Sequence, residues 1–189
     1  MSIVIACANQ SRVVIKSDGR EKSEYGAILS EDQNWFTQLS EQCFVGYAGD
    51  KIVCDMLIIA LKKQLEEDNI KDIRQIALAL QHILQATSET TTDNCSFIIA
   101  GISQETPQLY GLSYQDHFQT LLDKSPADKN VICKNLIIGP PAMADAEPFN
   151  KMYDTNKTIE SNMNDYIRYM GTIDKSVNDH IRTGKLKLS

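Results

Sequence analysis

Short apolar segments separated by turn residues fill the first fifty residues of the chain. Residues 3–8 and 12–17 are rich in β-branched side chains, and Asn9-Gln10-Ser11 between them has the chemistry of a hairpin turn. Three further strands are predicted at residues 25–29, 35–39 and 43–48. This pattern is typical of an antiparallel, meander-like sheet.

Helical spacing of apolar residues begins after Asp50, which has a side chain suited to an N-cap. Cys54, Ile58 and Leu61 fall on one face of a helix over residues 51–67, and a second amphipathic helix is predicted at residues 71–87. The remaining predicted elements are a loop at 88–94, strands at 96–102, 108–113, 118–122 and 131–138, helices at 142–153 and 159–172, and a strand at 185–188.

The order of these elements is strands, two helices, strands, two helices and a short terminal strand. Such an order favours an α+β fold in which two antiparallel sheets pack face to face with a helix layer on each outside. Neither a linker nor an internal repeat interrupts the pattern, so residues 1–189 are expected to form one domain.

Composition narrows the class of protein. The net charge of −6, without a basic run, argues against nucleic acid or an anionic membrane as the main partner. The five cysteines are scattered through apolar segments, and the N-terminus lacks the pattern of a secretory signal, so we expect reduced thiols and a cytoplasmic location. The sequence contains no zinc-ligand spacing and no nucleotide-binding glycine motif, and therefore predicts neither a metal nor a cofactor.

Three blocks of sequence carry a family resemblance. They are Ser2-Ile3-Val4-Ile5-Ala6, Val13-Val14-Ile15-Lys16-Ser17-Asp18-Gly19-Arg20, and Phe44-Val45-Gly46-Tyr47-Ala48-Gly49-Asp50 before a helix. In type and spacing they resemble the start of the proteasome β-type subunits and the HslV-like peptidases. The resemblance implies an N-terminal-nucleophile (Ntn) hydrolase fold, which is a four-layer αββα sandwich, and assembly into a homo-oligomeric ring.

The resemblance also assigns catalytic roles. A hydroxyl on the first residue attacks an amide, and the free α-amino group of the same residue, with a pKa of about 7.7–8.0, accepts its proton. Here the nucleophile position is Ser2, which requires removal of Met1, and the supporting carboxylate is Asp18. Backbone N–H groups around Gly49 would hold the oxyanion.

Other positions of the family site differ in this chain. The family lysine corresponds to Asn34, beside the substrate, and the family serine loop corresponds to Gly139-Pro140-Pro141-Ala142. A late acid–serine pair corresponds to Asp174 with Ser176. Lys16 lies two residues before Asp18, so if one extended strand carries both, their side chains point to the same face and Lys16 takes the place of the missing lysine. The alternative is a surface lysine paired with an exposed carboxylate.

Two functions from different classes remain open at this stage. The first is an amide hydrolase that uses Ser2 on a peptide or small amide, with weak activity on standard peptides because of the altered positions. The second is a catalytically silent member that keeps the fold for ring assembly or binding. The sequence leaves open the substrate, the ring size and whether an ATPase partner docks.

Overall fold

The computed structural model describes residues 2–23, 25–87, 92, 94–126, 133–139 and 146–188. Within them, the strands are β1 Val4–Asn9, β2 Arg12–Ser17, β3 Glu21–Lys22, β4 Ile28–Ser30, β5 Phe36–Ser40, β6 Cys43–Ala48, β7 Ser96–Ser103, β8 Thr106–Ser113, β9 Leu122–Asp123, β10 Lys134–Ile138 and β11 Arg182–Lys187. The helices are α1 Lys51–Glu67, α2 Ile73–Ala86, α3 Glu147–Met152 and α4 Ile159–Ile173, with a short 3-10 helix at Tyr114–Asp116.

The strands form two main antiparallel sheets. Sheet I has the order β10-β1-β2-β11, and sheet II has the order β5-β6-β7-β8-β9. The β1–β2 hairpin occupies the centre of sheet I, as the sequence predicted. Strands β3 and β4 form a separate two-stranded hairpin.

Helices cover the outer face of each sheet. One apolar cluster joins the facing sides of the two sheets and continues between sheet II and helices α1 and α2. A second cluster lies between sheet I and helices α3 and α4. The alternation along β1 explains this arrangement, since Val4 belongs to the first cluster and Ile5 to the second. The predicted four-layer αββα sandwich is confirmed.

Several local predictions differ from the structure. The first fifty residues do not form one meander: β1 and β2 lie in sheet I, whereas β5 and β6 lie in sheet II. Both faces of β1 and β2 are buried, which requires a sheet covered on both sides. The strand predicted at 25–29 is instead split between a turn at Tyr25-Gly26 and β4.

The strand predicted at 118–122 is also wrong, apart from its last residue. His117 and Phe118 have positive φ angles, and the carbonyl of Phe118 accepts hydrogen bonds from the side chains of Gln81 and Gln85 on α2. These bonds hold a turn where the apolar pattern predicted a strand. Most of the loop at 88–94 and the starts of the segments at 131–138 and 142–153 lie outside the described residues.

Among the helices in the described part of the chain, none combines the length and the apolar character that crossing a membrane requires.

Candidate active site

Ser2 and Asp18 lie together at one end of sheet I. Strands β1 and β2 are antiparallel with Val4 opposite Ser17, so the residues before β1 lie beside those after β2. Both Ser2 and Asp18 are fully buried. The hydroxyl of Ser2 donates to the backbone carbonyl of Arg20 at 2.5 Å, which connects the predicted nucleophile to the loop that carries Asp18.

The carboxylate of Asp18 binds the backbone on three sides. Its Oδ1 accepts from the N–H of Ile3 at 2.9 Å, directly after Ser2. Its Oδ2 accepts from the N–H of Arg20 at 3.1 Å and of Asn178 at 3.3 Å. Burial raises the pKa of Asp18 to about 6, and the three backbone hydrogen bonds oppose that rise. Asp18 therefore fixes the position of the chain at Ser2 and is ionised at neutral pH.

A hydrogen-bonded group to which the sequence assigned no role completes this end of sheet I; its members are Arg20, Glu31 and Asn178. The side chain of Asn178 accepts from the N–H of Gly19 at 2.8 Å and donates to the carbonyl of Glu31 at 2.9 Å and to its carboxylate. Arg20 forms an ion pair with the same carboxylate at 3.1 Å. Arg20 is the last residue of the second sequence block that resembles the family. Asn178 lies far along the chain from its partners, and no sequence pattern indicated it.

Asp174 and Ser176 lie in the segment between α4 and β11. Asp174 Oδ1 accepts from the N–H of Ser176 at 2.6 Å, and the carbonyl of Lys175 between them accepts from the guanidinium of Arg20 at 2.7 Å. Partial burial raises the pKa of Asp174, but hydrogen bonding by Ser176 outweighs it, so the pKa lies below its ordinary value. The pair is therefore joined to the Ser2 loop through Arg20, with no direct hydrogen bond to Ser2 among the described residues.

Lys16 points away from this site. Its Nζ donates to Asn164 Oδ1 on α4 at 2.7 Å and to Thr183 Oγ1 on β11 at 2.9 Å. These hydrogen bonds lie between α4 and the outer face of sheet I. Within the described residues no cationic side chain forms an ion pair with Asp18, so Lys16 does not occupy the place of a lysine at Ser2.

Asn34 is exposed, and the contacts that the structure gives it go through its backbone carbonyl, which accepts from the hydroxyl of Tyr47 at 3.3 Å. Gly49 has a φ of +135°, and a Cβ there would lie 2.7 Å from the carbonyl oxygen of Asn94. Glycine is required at this position for both reasons. Gly49 immediately precedes the N-cap of α1, Asp50.

A cavity of about 340 Å³ lies between the sheets and is lined mainly by β8, the short 3-10 helix and β10. Gly139 borders it at the end of β10, and a Cβ on Gly139 would lie 3.2 Å from the carbonyl oxygen of Ser2. Asn94, whose carbonyl oxygen a Cβ on Gly49 would approach, borders it two residues before β7. Neighbours of Ser2 and Gly49 therefore line the cavity, whereas Ser2 and Gly49 themselves do not. Residues 140–142 of the predicted serine loop lie outside the described residues.

Across the described ranges, no three His, Cys, Asp or Glu side chains come together as a metal site would require. All five cysteines are free thiols, four of them buried.

Comparisons with known proteins agree with this fold. The proteasome subunit family model matches residues 2–119, which include Ser2, Asp18 and Gly49. The crystal structure of HslV from Trypanosoma brucei superposes with a TM-score of 0.73 at 14% sequence identity, covering 98% of this chain and 99% of the other. A search of curated protein sequences gives no significant match. The family match over more than half of the chain, together with the αββα fold, shows that the chain belongs to the proteasome subunit family, with an HslV-like fold.

Proposed function

We propose that this chain is an Ntn amide hydrolase with Ser2 as its nucleophile and a peptide or small amide as its substrate. The observation that carries the proposal is the buried carboxylate of Asp18, which holds the N–H of Ile3 at 2.9 Å directly behind Ser2. The adjacent loop also holds the Ser2 hydroxyl through the Arg20 carbonyl. An N-terminal nucleophile needs a fixed orientation, and a buried carboxylate this close to the family's nucleophile position provides it.

The reaction follows from these groups once Met1 is removed. The α-amine of Ser2 takes the hydroxyl proton while Oγ attacks the substrate carbonyl, and the N–H groups at Gly49 stabilise the oxyanion. The amide C–N bond then breaks, the proton passes to the leaving amine, and an ester to Ser2 remains. Water hydrolyses that ester with the α-amine again as the base.

Weak activity on standard peptides is part of the proposal. Asn34 is exposed, and the ammonium of Lys16 is held under α4, so no lysine supports Asp18 within the described residues. Loss of a catalytic acid–base group costs about 10² to 10⁴ in rate.

A second candidate function is that of a catalytically silent subunit that keeps the fold for assembly. The observation that favours it is the complete burial of Ser2, whose hydroxyl is engaged by a backbone carbonyl. We place both candidates in a cytoplasmic homo-oligomeric ring, in line with the family; docking of an ATPase remains an open part of the proposal.

The test begins with intact mass, which shows whether Met1 is removed. An epoxyketone, which reacts with the hydroxyl and the free amine of an N-terminal residue together, is then added to the processed protein. We expect a mass increase of one adduct, complete loss of labelling in Ser2→Ala, and labelling at least about 10-fold slower in Asp18→Asn.

Ser17→Ala is the matched control, because Ser17 is an equally buried serine next to Asp18 whose hydroxyl has no hydrogen-bond partner among the described residues. Its labelling should equal that of the unmodified protein. Processed protein that takes no label would favour the silent subunit, and labelling that survives Ser2→Ala would place the chemistry elsewhere.

A further inference from the structure

Lys16 is a buried cation that the proposed chemistry does not use. It is only 4% exposed and lies on β2 opposite Thr183 of β11. Helix α4 covers it with Asn164, and Arg168 follows one helical turn later. Lys185 lies two residues beyond Thr183 on β11, on the same face of the strand. These residues surround the point where α4 meets β11.

Positive charge exceeds negative charge at this point. The cations are Arg12, Lys16, Arg168 and Lys185. The carboxylate of Glu160 is their counterion, and its Oε1 already accepts from Arg12 at 3.4 Å and Lys185 at 3.1 Å. The hydrogen-bond partners of Lys16 are the neutral oxygens of Asn164 and Thr183. The excess of positive charge is notable in a chain whose net charge is −6.

The charge of the buried ammonium is therefore only partly compensated, by Glu160. Burial lowers the pKa of Lys16, and the charge of Lys185 lowers it further; Glu160 opposes the change and Arg168 adds to it. The Nε of Arg12 is also buried without a hydrogen-bond partner among the described residues. An anion at this point would relieve the repulsion between these cations.

Several side chains at the junction of α4 and β11 also have hydrogen-bond donors that their observed hydrogen bonds leave available. Lys16 has three ammonium protons and two partners, so one proton remains. Thr183 accepts from Lys16 through its hydroxyl oxygen, which leaves the hydroxyl proton to donate outward. Asn164 likewise accepts through Oδ1 and keeps its two amide protons. Arg168 is exposed and offers a planar pair of N–H groups, the geometry that binds phosphate oxygens in a bidentate manner.

We propose that the junction of α4 and β11 binds an oxyanion of the phosphate class, with Lys16 beneath it, Arg168 and Lys185 beside it, and the Thr183 hydroxyl donating to it. A dianion matches the excess of cations, and its several acceptor oxygens match the free donors. The site lies on the outer face of sheet I, under α4, and is independent of Ser2. The anion is either free phosphate or the phosphoryl group of a larger molecule.

The experiment measures the thermal unfolding midpoint while sodium phosphate replaces sodium chloride at constant ionic strength. We expect an increase that grows with the logarithm of phosphate concentration above the dissociation constant, and that reaches about 3–6 °C when phosphate exceeds this constant 10-fold. O-phosphoserine is titrated in parallel. A logarithmic increase with both ligands identifies a site for phosphoryl groups, and one with phosphate alone identifies a site for the free anion.

Two variants test the residues at the exposed side of the site. Arg168→Gln and Lys185→Gln should each weaken phosphate binding about 10-fold. Lys71→Gln, an exposed lysine before α2, is the control and should leave the dissociation constant unchanged. Because the readout is the phosphate-dependent shift, a variant with a lower starting midpoint remains informative. A midpoint that rises in proportion to phosphate concentration, as the general effect of a kosmotropic salt would give, or a shift that persists in the double variant R168Q/K185Q, overturns the proposal.

Discussion

Asp18 connects the fold to the candidate chemistry, because one carboxylate holds three backbone N–H groups from three separate parts of the chain. Few side chains can do this in a fully buried position. Replacing Asp18 by Asn keeps the size but presents an NH₂ group to at least one N–H donor, which leaves a buried donor unsatisfied. At the residue scale, the position of Ser2 therefore depends on the ionised form of Asp18.

The raised pKa of Asp18 predicts a pH-dependent stability. A carboxyl group with a pKa of about 6 in the folded protein and an ordinary value near 3.8 when unfolded binds more protons in the folded state between these values. The free energy of unfolding should therefore decrease as pH rises from about 4 to about 6, by at most about 3 kcal/mol from this group. Urea unfolding at a series of pH values measures it.

The comparison that isolates Asp18 is the difference between the unmodified protein and Asp18→Asn at each pH. That difference should change across the same interval, and Asp179→Asn, an exposed carboxylate on the same segment, should show no such change. A constant difference across pH 4 to 6 would contradict the raised pKa.

The site was only partly predictable from sequence. Ser2 and Asp18 came from a local motif, and β1–β2 pairing brings them together. Lys16 and Asp18 are two residues apart, so a continuous strand would place their side chains on the same face. Because β2 ends at Ser17, the carboxylate of Asp18 instead binds the N–H of Ile3, whereas the side chain of Lys16 lies under α4. Asn178 was out of reach because its partners are set by how the segment after α4 docks, which no local pattern encodes.

At the scale of elements, helix caps explain why α1 and α2 were predicted well. Asp50 accepts from the N–H of Val53 at 3.1 Å, and Asp72 accepts from that of Gln75 at 3.0 Å. Helix α1 has the predicted bounds, and α2 is shorter than predicted because Asp72 starts it. By contrast, strands of two or three residues depend on their partners, so the apolar pattern misplaced β4 and β9 and did not indicate β3.

Asp72 should contribute more to stability than Asp50, because its second oxygen accepts from the hydroxyl of Ser103 on β7 at 2.9 Å. We expect Asp50→Ala to lower the free energy of unfolding by about 1 kcal/mol and Asp72→Ala by about 2 kcal/mol. Urea unfolding gives both values. In a double-mutant cycle, Asp72 and Ser103 should show a coupling of about 0.5–1.5 kcal/mol; additive effects would mean that the bond contributes nothing.

Two glycines should respond to alanine in opposite directions. A Cβ on Gly184 of β11 would lie 2.9 Å from both Phe36 and Phe44, where the two sheets meet, so Gly184→Ala should destabilise by about 1–3 kcal/mol. Gly171, near the end of α4, has room at ordinary contact distances, and Gly171→Ala should stabilise by about 0.5–1 kcal/mol. Thermal unfolding of both variants checks the signs, and a stabilising Gly184→Ala would contradict the close sheet contact.

At the scale of the whole molecule, helix α1 has large apolar residues on its exposed side as well as on its buried side. Helix α1 buries Cys54, Leu57 and Leu61 against the core, yet Ile52, Met56 and Ile59 are 74%, 65% and 67% exposed. Their spacing of four and three residues places them on one face of the helix. An exposed apolar stripe of this kind is typical of a protein interface, which agrees with the ring proposed for this chain.

We therefore expect sedimentation at micromolar concentration to give a mass well above the 21.2 kDa of one chain. Met56→Glu places a charge in the centre of the stripe and should shift the distribution toward the monomer while leaving the fold intact, because its side chain lies outside the core. Met152→Glu, on α3 in the opposite outer layer and 40% exposed, is the matched control. If the unmodified protein sediments as a monomer, the proposed assembly is wrong. If only Met152→Glu dissociates the oligomer, the subunit contact lies on the helix layer of sheet I and not on α1.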